Sequence, residues 1–218
     1  MNNFKQIAID GPAAAGKSTI AKLMASRLSY VYVDTGAMYR AITWAALHHQ
    51  IDVANEKAVG DLLANVNINL TPNGEVFVND RNITTAIREL DVTNHVPQVA
   101  TYQAVRDDLK HRQIALAQST NIIMDGRDIG TNVLPDADFK FFMVADPRIR
   151  AERRHKENLE KGIPSDIDVL EMEIKARDEQ DRTRVHAPLK QAEDAILIDT
   201  SQLSIDEVVD KMVSIVLK

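Results

Sequence analysis

Short apolar bursts alternate along the chain with stretches that repeat at helical spacing. Gln6-Ile7-Ala8-Ile9-Asp10 reads as a buried strand, and Ile20, Leu23, Met24, Arg27 and Leu28 then mark one face of a helix. Tyr30-Val31-Tyr32-Val33 forms a second strand ending at Asp34, followed by a helix running through Trp44 and Leu47. From about 52 to 88 the character changes. A short helix from about Glu56 to Leu63 precedes two alternating runs, Ile68-Asn69-Leu70-Thr71 and Glu75-Val76-Phe77-Val78. Pro72-Asn73-Gly74 joins them as a turn, and Arg81-Asn82-Ile83 supplies a third short strand. This small antiparallel insertion is too slight to be stable alone and must lean on its neighbour. A long helical stretch is predicted from about Asp91 to Ser119, with Val99, Tyr102, Leu109 and Leu116 as its buried stripe and a break or late start near Pro97.

The alternation then resumes. Asn121-Ile122-Ile123-Met124-Asp125 and Phe139-Lys140-Phe141-Phe142-Met143-Val144 are buried strands, and Asp146-Pro147 supplies an N-cap and a first-turn proline. The helix that follows carries Arg148, Arg150, Arg153 and Arg154 and ends near Gly162-Ile163-Pro164. A second helix from Asp166 carries Arg177, Asp178, Asp181, Arg182 and Arg184. Ala195-Ile196-Leu197-Ile198-Asp199 is the last strand. A Ser204/Glu207 capping box then opens an amphipathic helix marked by Ile205, Val208, Val209, Met212 and Val216. Strands alternating with helices predict an α/β fold with a parallel sheet flanked by helices.

A chain of 218 residues buries one sizeable core. No apolar run approaches the roughly 20 residues of a membrane helix. The first strand begins within a few residues of the N-terminus, leaving no room for a signal peptide, so a cytoplasmic location is expected. With no cysteine there are no disulfides, zinc–thiolate sites or thiol nucleophiles. The net charge of −6 argues against broad nucleic-acid binding, so any polyanion site must be a local arginine cluster. None of the six histidines has metal-like partner spacing, and His48-His49 falls late in a helix.

Candidate chemistry begins at Gly11-Pro12-Ala13-Ala14-Ala15-Gly16-Lys17-Ser18, the G-x-x-x-x-G-K-[ST] pattern of a phosphate-binding loop between a strand and a helix. Glycines let backbone N–H groups approach phosphate oxygens, and the helix N-terminus faces the same anion. Lys17 can reach the β- and γ-phosphates, and Ser18 can hold Mg²⁺. Asp125, at the end of a buried strand, fits a Walker B carboxylate that helps position the metal directly or through water. Thr35 lies where a strand end meets a helix start and could cap the helix or bind a phosphate. Arg40, one turn on, could fork onto that phosphate or be solvated. Asp125-Gly126-Arg127-Asp128 puts two carboxylates and an arginine at the sheet edge, and a polar turn with an internal salt bridge is the bland alternative. Arg106, among apolar positions, reads on its own as a peripheral or paired arginine. Arg177, Asp181 and Arg184 share one helix face, as a flap closing on phosphates would need.

Four stretches together resemble the bacterial cytidylate kinases, the (d)CMP kinases of the nucleoside monophosphate kinase family. They are Ile9-Asp10-Gly11-Pro12 with its loop, Asp34-Thr35-Gly36-Ala37-Met38-Tyr39-Arg40, Asp125-Gly126-Arg127-Asp128-Ile129-Gly130-Thr131, and Arg177 to Arg184 followed by Ala187-Pro188-Leu189. The resemblance implies a P-loop NTPase-type sheet with an antiparallel monophosphate-binding insertion and an arginine-rich helical lid, in a single, monomeric kinase domain. Its core would comprise 1–38, 98–150 and 178–218, the monophosphate-binding region 39–97 with the insertion at about 66–83, and the lid 151–177. It implies in-line transfer of the γ-phosphoryl group of ATP to CMP or dCMP with Mg²⁺, with no nucleic-acid or membrane partner. ATP would lie on Gly11 through Thr19, with Ser18 on the metal. Thr35 and Arg40 would hold the acceptor phosphate, Tyr39 would join the substrate-binding set, and Arg106 and Asp128 would read cytosine. Arg127 would place the acceptor, Arg177 and Asp181 would contact the sugar, and Arg184 the phosphate end. Lys17, Arg127, Arg177 and Arg184 would be the catalytic set. Where the family commonly has Ser-x-Val-Ala, this chain has Pro97-Gln98-Val99-Ala100, and proline offers no hydroxyl to the base site. The absence of an Asn-Lys-x-Asp motif counts against a GTPase switch. The rivals are a kinase for UMP, AMP or shikimate and, from another class, a slow nucleotide switch with no acceptor.

Overall fold

The computed structural model describes residues 4–71, 73–160 and 162–218, so Pro72 of the expected turn lies outside the described residues. Five strands make one parallel sheet: β1 (Gln6–Asp10), β2 (Val31–Asp34), β6 (Ile122–Gly126), β7 (Phe139–Val144) and β8 (Ile196–Asp199), in the order β2-β6-β1-β7-β8. The central strands β1, β6 and β7 are almost wholly apolar because helices cover both their faces. Ile7 and Ile9 point to one side, onto α1 (Lys17–Leu28) and α8 (Ile205–Val216). Ala8, Ile122 and Met124 point to the other, onto α2 (Thr35–His48) and its neighbours. Edge strand β8 keeps Ile196 and Leu197 partly exposed. Of the positions expected to face inward, Leu23 and Ile205 are also exposed, each near the margin of its helix's buried face.

Between α2 and the sheet's second crossover lie α3 (Glu56–Leu62) and a separate antiparallel sheet, β3 (Ile68–Leu70), β4 (Val76–Val78) and β5 (Arg81–Asn82). Val76, Val78 and Ile83 join the main core, which is how this small sheet gains stability. The expected long helix is two: α4 (Leu90–Val99) and α5 (Gln103–Ala117). Pro97 sits inside the last turn of α4, and the chain leaves the helix just beyond it, at Ala100 to Tyr102. The Tyr102 hydroxyl, donating to the Val53 carbonyl at 2.6 Å, fixes the break. The boundary expected between 97 and 98 thus falls within α4. The buried side of α5 turns toward Gln113 and Ala117 at its end, leaving Leu116 exposed.

α6 (Pro147–Glu160) and α7 (Ile167–Thr183) pack against each other and close over the carboxyl edge of the sheet. The Asp146 carboxylate caps α6 through the Arg148 N–H at 2.8 Å, as expected. Asp166 caps α7, which runs unbroken through 177 and 178. The Ser204/Glu207 capping box opens α8.

Candidate active site

The carboxyl ends of β1, β2 and β6 open onto a cleft of about 660 Å³, roofed by α7. Its floor is the loop from Gly11 to Gly16. Gly11 (φ 150°) passes so close to β7 that a Cβ there would lie 2.1 Å from the Met143 carbonyl oxygen, so only glycine fits. Ala14 (φ 58°) and Gly16 (φ 84°) take left-handed conformations as the loop turns its amides toward the cleft. Lys17, buried, folds back to donate to the Pro12 carbonyl at 2.7 Å. Burial first, and Arg127 second, pull its pKa down to about 7.

Ser18 and Asp125 face each other. The Ser18 hydroxyl donates to Asp125 Oδ2 at 2.9 Å, and the Tyr32 hydroxyl donates to Oδ1 at 2.7 Å. Burial, reinforced by Asp34, pushes the Asp125 carboxyl up to about 6, and burial pushes Tyr32 far above the ordinary phenol range. These are hard oxygen donors, which fits a Mg²⁺ ion held by one or two protein oxygens with the remainder from phosphates and water. Among the described residues no cluster of three or more histidines and carboxylates could hold a metal unaided. Asp10 lies beside them, buried, accepting from the backbone N–H groups of Ile129 (2.8 Å) and Gly130 (2.7 Å).

Thr35 does not cap α2. Asp34 does, through the Ala37 N–H at 2.9 Å, because the cap is the last non-helical residue and Thr35 is already the first helical one. The buried Thr35 hydroxyl instead donates to the Asp125 carbonyl at 2.7 Å. Arg40 is held by the Thr93 hydroxyl at 2.8 Å and the Ile87 carbonyl at 3.2 Å, leaving it aimed into the cleft rather than solvated. Burial, with Arg88 next, lowers its pKa.

At the other end of the cleft, Asp128 is clasped by two arginines. Arg106 Nη2 donates to its Oδ2 at 2.6 Å and Arg184 Nη2 to its Oδ1 at 3.0 Å. Arg106 is only 4% exposed, so it is a buried cleft residue and not a peripheral one. Its guanidinium lies over the Tyr39 ring, 5.7 Å from the centroid. Asn132 adds a bond to Asp128 at 3.0 Å. Arg184, implied at the phosphate end, thus stands at the Asp128 end. Arg127 pairs with Asp181 at 2.8 Å instead of closing a salt bridge within its own turn. Arg177 lies in the roof with its Nε buried and, among the described residues, without a hydrogen-bond partner. Burial, then Arg127, lowers its pKa to about 10. The arginines Arg127, Arg177 and Arg184 hold Asp181 below the ordinary carboxylate range against its burial.

The cleft therefore gathers every candidate residue except Gly11 and Pro12, which lie at the start of the loop behind it. It also gathers Lys22, Arg88, Arg153 and Arg154, which sequence reasoning did not place there. Arg153 and Arg154 sit in the stretch from Arg148 to Arg184, whose acids balance its bases, and Arg88 follows the insertion without a motif. Only folding reveals that these basic side chains converge.

The arrangement can bind two phosphorylated ligands head to head, one on the loop and one between Arg40 and Asp128. A family model described as cytidylate kinase matches residues 7–218. A cytidylate kinase of Anoxybacillus flavithermus is 56% identical over 96% of this chain and 95% of that protein. One of Bacillus cereus is 53% identical over 99% and 97%. Among solved structures, a gluconokinase from Sinorhizobium meliloti superposes with a TM-score of 0.53 at 12% identity, covering 96% of this chain and 90% of that one, a likeness of fold alone.

Proposed function

The chain belongs to the cytidylate kinase family, and from that premise we propose that it transfers the γ-phosphoryl group of ATP to CMP and dCMP, giving CDP, dCDP and ADP. The observation that carries the choice of acceptor is Asp128, clasped by Arg106 and Arg184 across the cleft from the phosphate loop. Cytosine presents an N4 amino donor, which a carboxylate accepts; uracil presents an O4 acceptor there, which the carboxylate repels. Arg106 and Asn132 take up Oδ2, while Arg184 alone meets Oδ1 and leaves it a lone pair for the base.

In this reading ATP lies on Gly11 through Thr19, with Lys17 swinging from Pro12 onto the β- and γ-phosphates. Ser18, with Asp125 behind it, would hold Mg²⁺, which when bound would supply neutralising charge to the phosphates. Thr35, Arg40 and Arg127 hold the acceptor nucleotide's phosphate end, Arg177 and Asp181 its sugar, and Tyr39 lies under Arg106 toward its base. An acceptor phosphate oxygen attacks the γ-phosphorus while the bond to the β–γ bridging oxygen breaks, so ADP leaves with that electron pair. The acceptor is already anionic, so no base need remove a proton. Alignment and positive charge from Lys17, Arg127 and Arg177 supply the acceleration, while Arg184 holds Asp128 in place at the base end. Closure of region 39–97 and of 151–177 over the core would exclude water and suppress ATP hydrolysis. No helix among the described residues is long and apolar enough to cross a membrane. The reading is of a monomer working on cytoplasmic nucleotides.

The test is ADP release from Mg·ATP with CMP, dCMP, UMP, AMP or no acceptor. Strong turnover with CMP and dCMP and little without acceptor is expected. Turnover indifferent to acceptor would leave a hydrolase or switch.

A further inference from the structure

Behind the phosphate loop, outside the cleft lining, lies an ion pair that the mechanism above does not use. Arg150, in the first turn of α6, is 3% exposed and spends its guanidinium on three partners. Nε donates to the Ala145 carbonyl at 2.9 Å, Nη1 to the Ala13 carbonyl at 2.9 Å, and Nη2 to Asp178 Oδ2 at 2.7 Å. The other oxygen of Asp178 accepts the Ala13 N–H at 3.3 Å. Ala13 is thereby gripped by both its own N–H and its own carbonyl.

Two consequences follow from what adjoins this grip. Ala14, next in the loop, holds φ 58°, a conformation that an alanine keeps only where its surroundings over-determine it. Arg177, next to Asp178 on α7, projects into the cleft with its Nε unbonded, so nothing bonded to that nitrogen fixes where the side chain sits. We propose that Arg150 and Asp178 are a positioning pair that locks the phosphate loop to α7, so that the loop's shape and the placement of Arg177 over it are set as one unit. Neither residue touches the reacting atoms. The inference rests on the kinase reading of this cleft.

The test compares Asp178→Ala, Asp178→Asn and Arg150→Lys with wild type, alone and combined with Arg177→Ala. Asp178→Ala should lower kcat by about 10- to 100-fold, because a displacement near 1 Å is worth that much, while KM for CMP changes far less. Asp178→Asn keeps one acceptor oxygen on the same stem and should restore part of the loss. In the Arg177→Ala background Asp178→Ala should cost little further kcat, since its effect on turnover passes through Arg177, while nucleotide affinity still falls through the loop. A fluorescent ATP analogue should bind each variant more weakly, a readout that needs no acceptor. Should Asp178→Ala not fold, Asp178→Asn and Arg150→Lys, each keeping part of the grip, carry the same test. Melting temperatures lowered with kcat and nucleotide affinity intact, or kcat losses that multiply in the double variant, would overturn the proposal. Wild-type enzyme without CMP-dependent turnover would instead sink the kinase reading and leave the nucleotide-affinity arm standing.

Discussion

The phosphate end of the cleft and its base end are built by opposite means. The first is backbone: consecutive residues from Gly11 to Ser18, shaped by two close turns and one approach to β7 that admits no side chain. The second is side chain: Arg106 from α5, Asp128 from the turn after β6, Arg184 from the end of α7 and Tyr39 from α2, converging over a gap of many residues. Backbone sites depend on a few glycines and one lysine. Side-chain sites depend on mutual charge, and removing one member of a buried ion pair costs about 3–5 kcal/mol because the partner is left uncompensated. The two ends should therefore fail differently.

The largest effect is expected where function and stability are most separate. Lys17→Ala removes a buried cation that folding must desolvate, so kcat should fall about 100- to 1000-fold with the melting temperature unchanged or slightly raised. Arg177→Met should behave alike, since its buried Nε has no protein partner to lose. Steady-state turnover paired with thermal melts checks both. Full activity in either variant would remove it from the phosphate site.

At the base end stability and function should fall together. Asp128→Asn leaves Arg106 and Arg184 facing each other without their anion, so the variant should lose on the order of 3 kcal/mol by denaturant unfolding. Its preference for CMP over UMP should drop about tenfold to a hundredfold, the worth of one buried polar match. An unchanged ratio would place the base elsewhere. Arg184→Ala is milder, because Arg106 still compensates Asp128. Pro97→Ser sharpens the same end: if the missing hydroxyl matters, CMP selectivity should rise a few-fold, within the roughly 1 kcal/mol of one neutral hydrogen bond.

The same contrast governs what could be read from the residues alone. The strand–loop–helix around Lys17 is local, so spacing revealed it. The α/β alternation and the insertion turn were legible for the same reason. Arg106 was not: one arginine among apolar positions has the same sequence appearance whether it is peripheral or buried against Asp128. Thr35 was ambiguous because a one-residue shift in the helix start decides whether it caps. Arg88, Arg153 and Arg154 carry no local signal, since their meaning lies in which helices close over the sheet. Leu116 and Ile205 fit the helical period yet stay exposed, because periodicity marks a face without saying how far that face extends along the element.

Asp10 joins the two ends. It closes β1 just before Gly11, and its carboxylate accepts from the N–H groups of Ile129 and Gly130, immediately beyond Asp128. Burial raises its pKa to about 6, and the two amides only partly offset that. A carboxyl whose folded pKa lies above its unfolded value of about 3.8 binds more protons folded than unfolded. Stability from this group is thus complete below 3.8 and is lost as pH rises through about 6. Between pH 7 and 5 wild type should gain about 1 kcal/mol relative to Asp10→Asn, whose side chain does not titrate. Chemical denaturation of both proteins at each pH checks this. A parallel pH dependence in the two would mean that the amides already hold Asp10 ionised at no net cost. The joint between loop and base site would then be a pair of ordinary backbone hydrogen bonds, and Asp10→Asn should leave kcat and CMP preference together within about threefold, the worth of one neutral hydrogen bond.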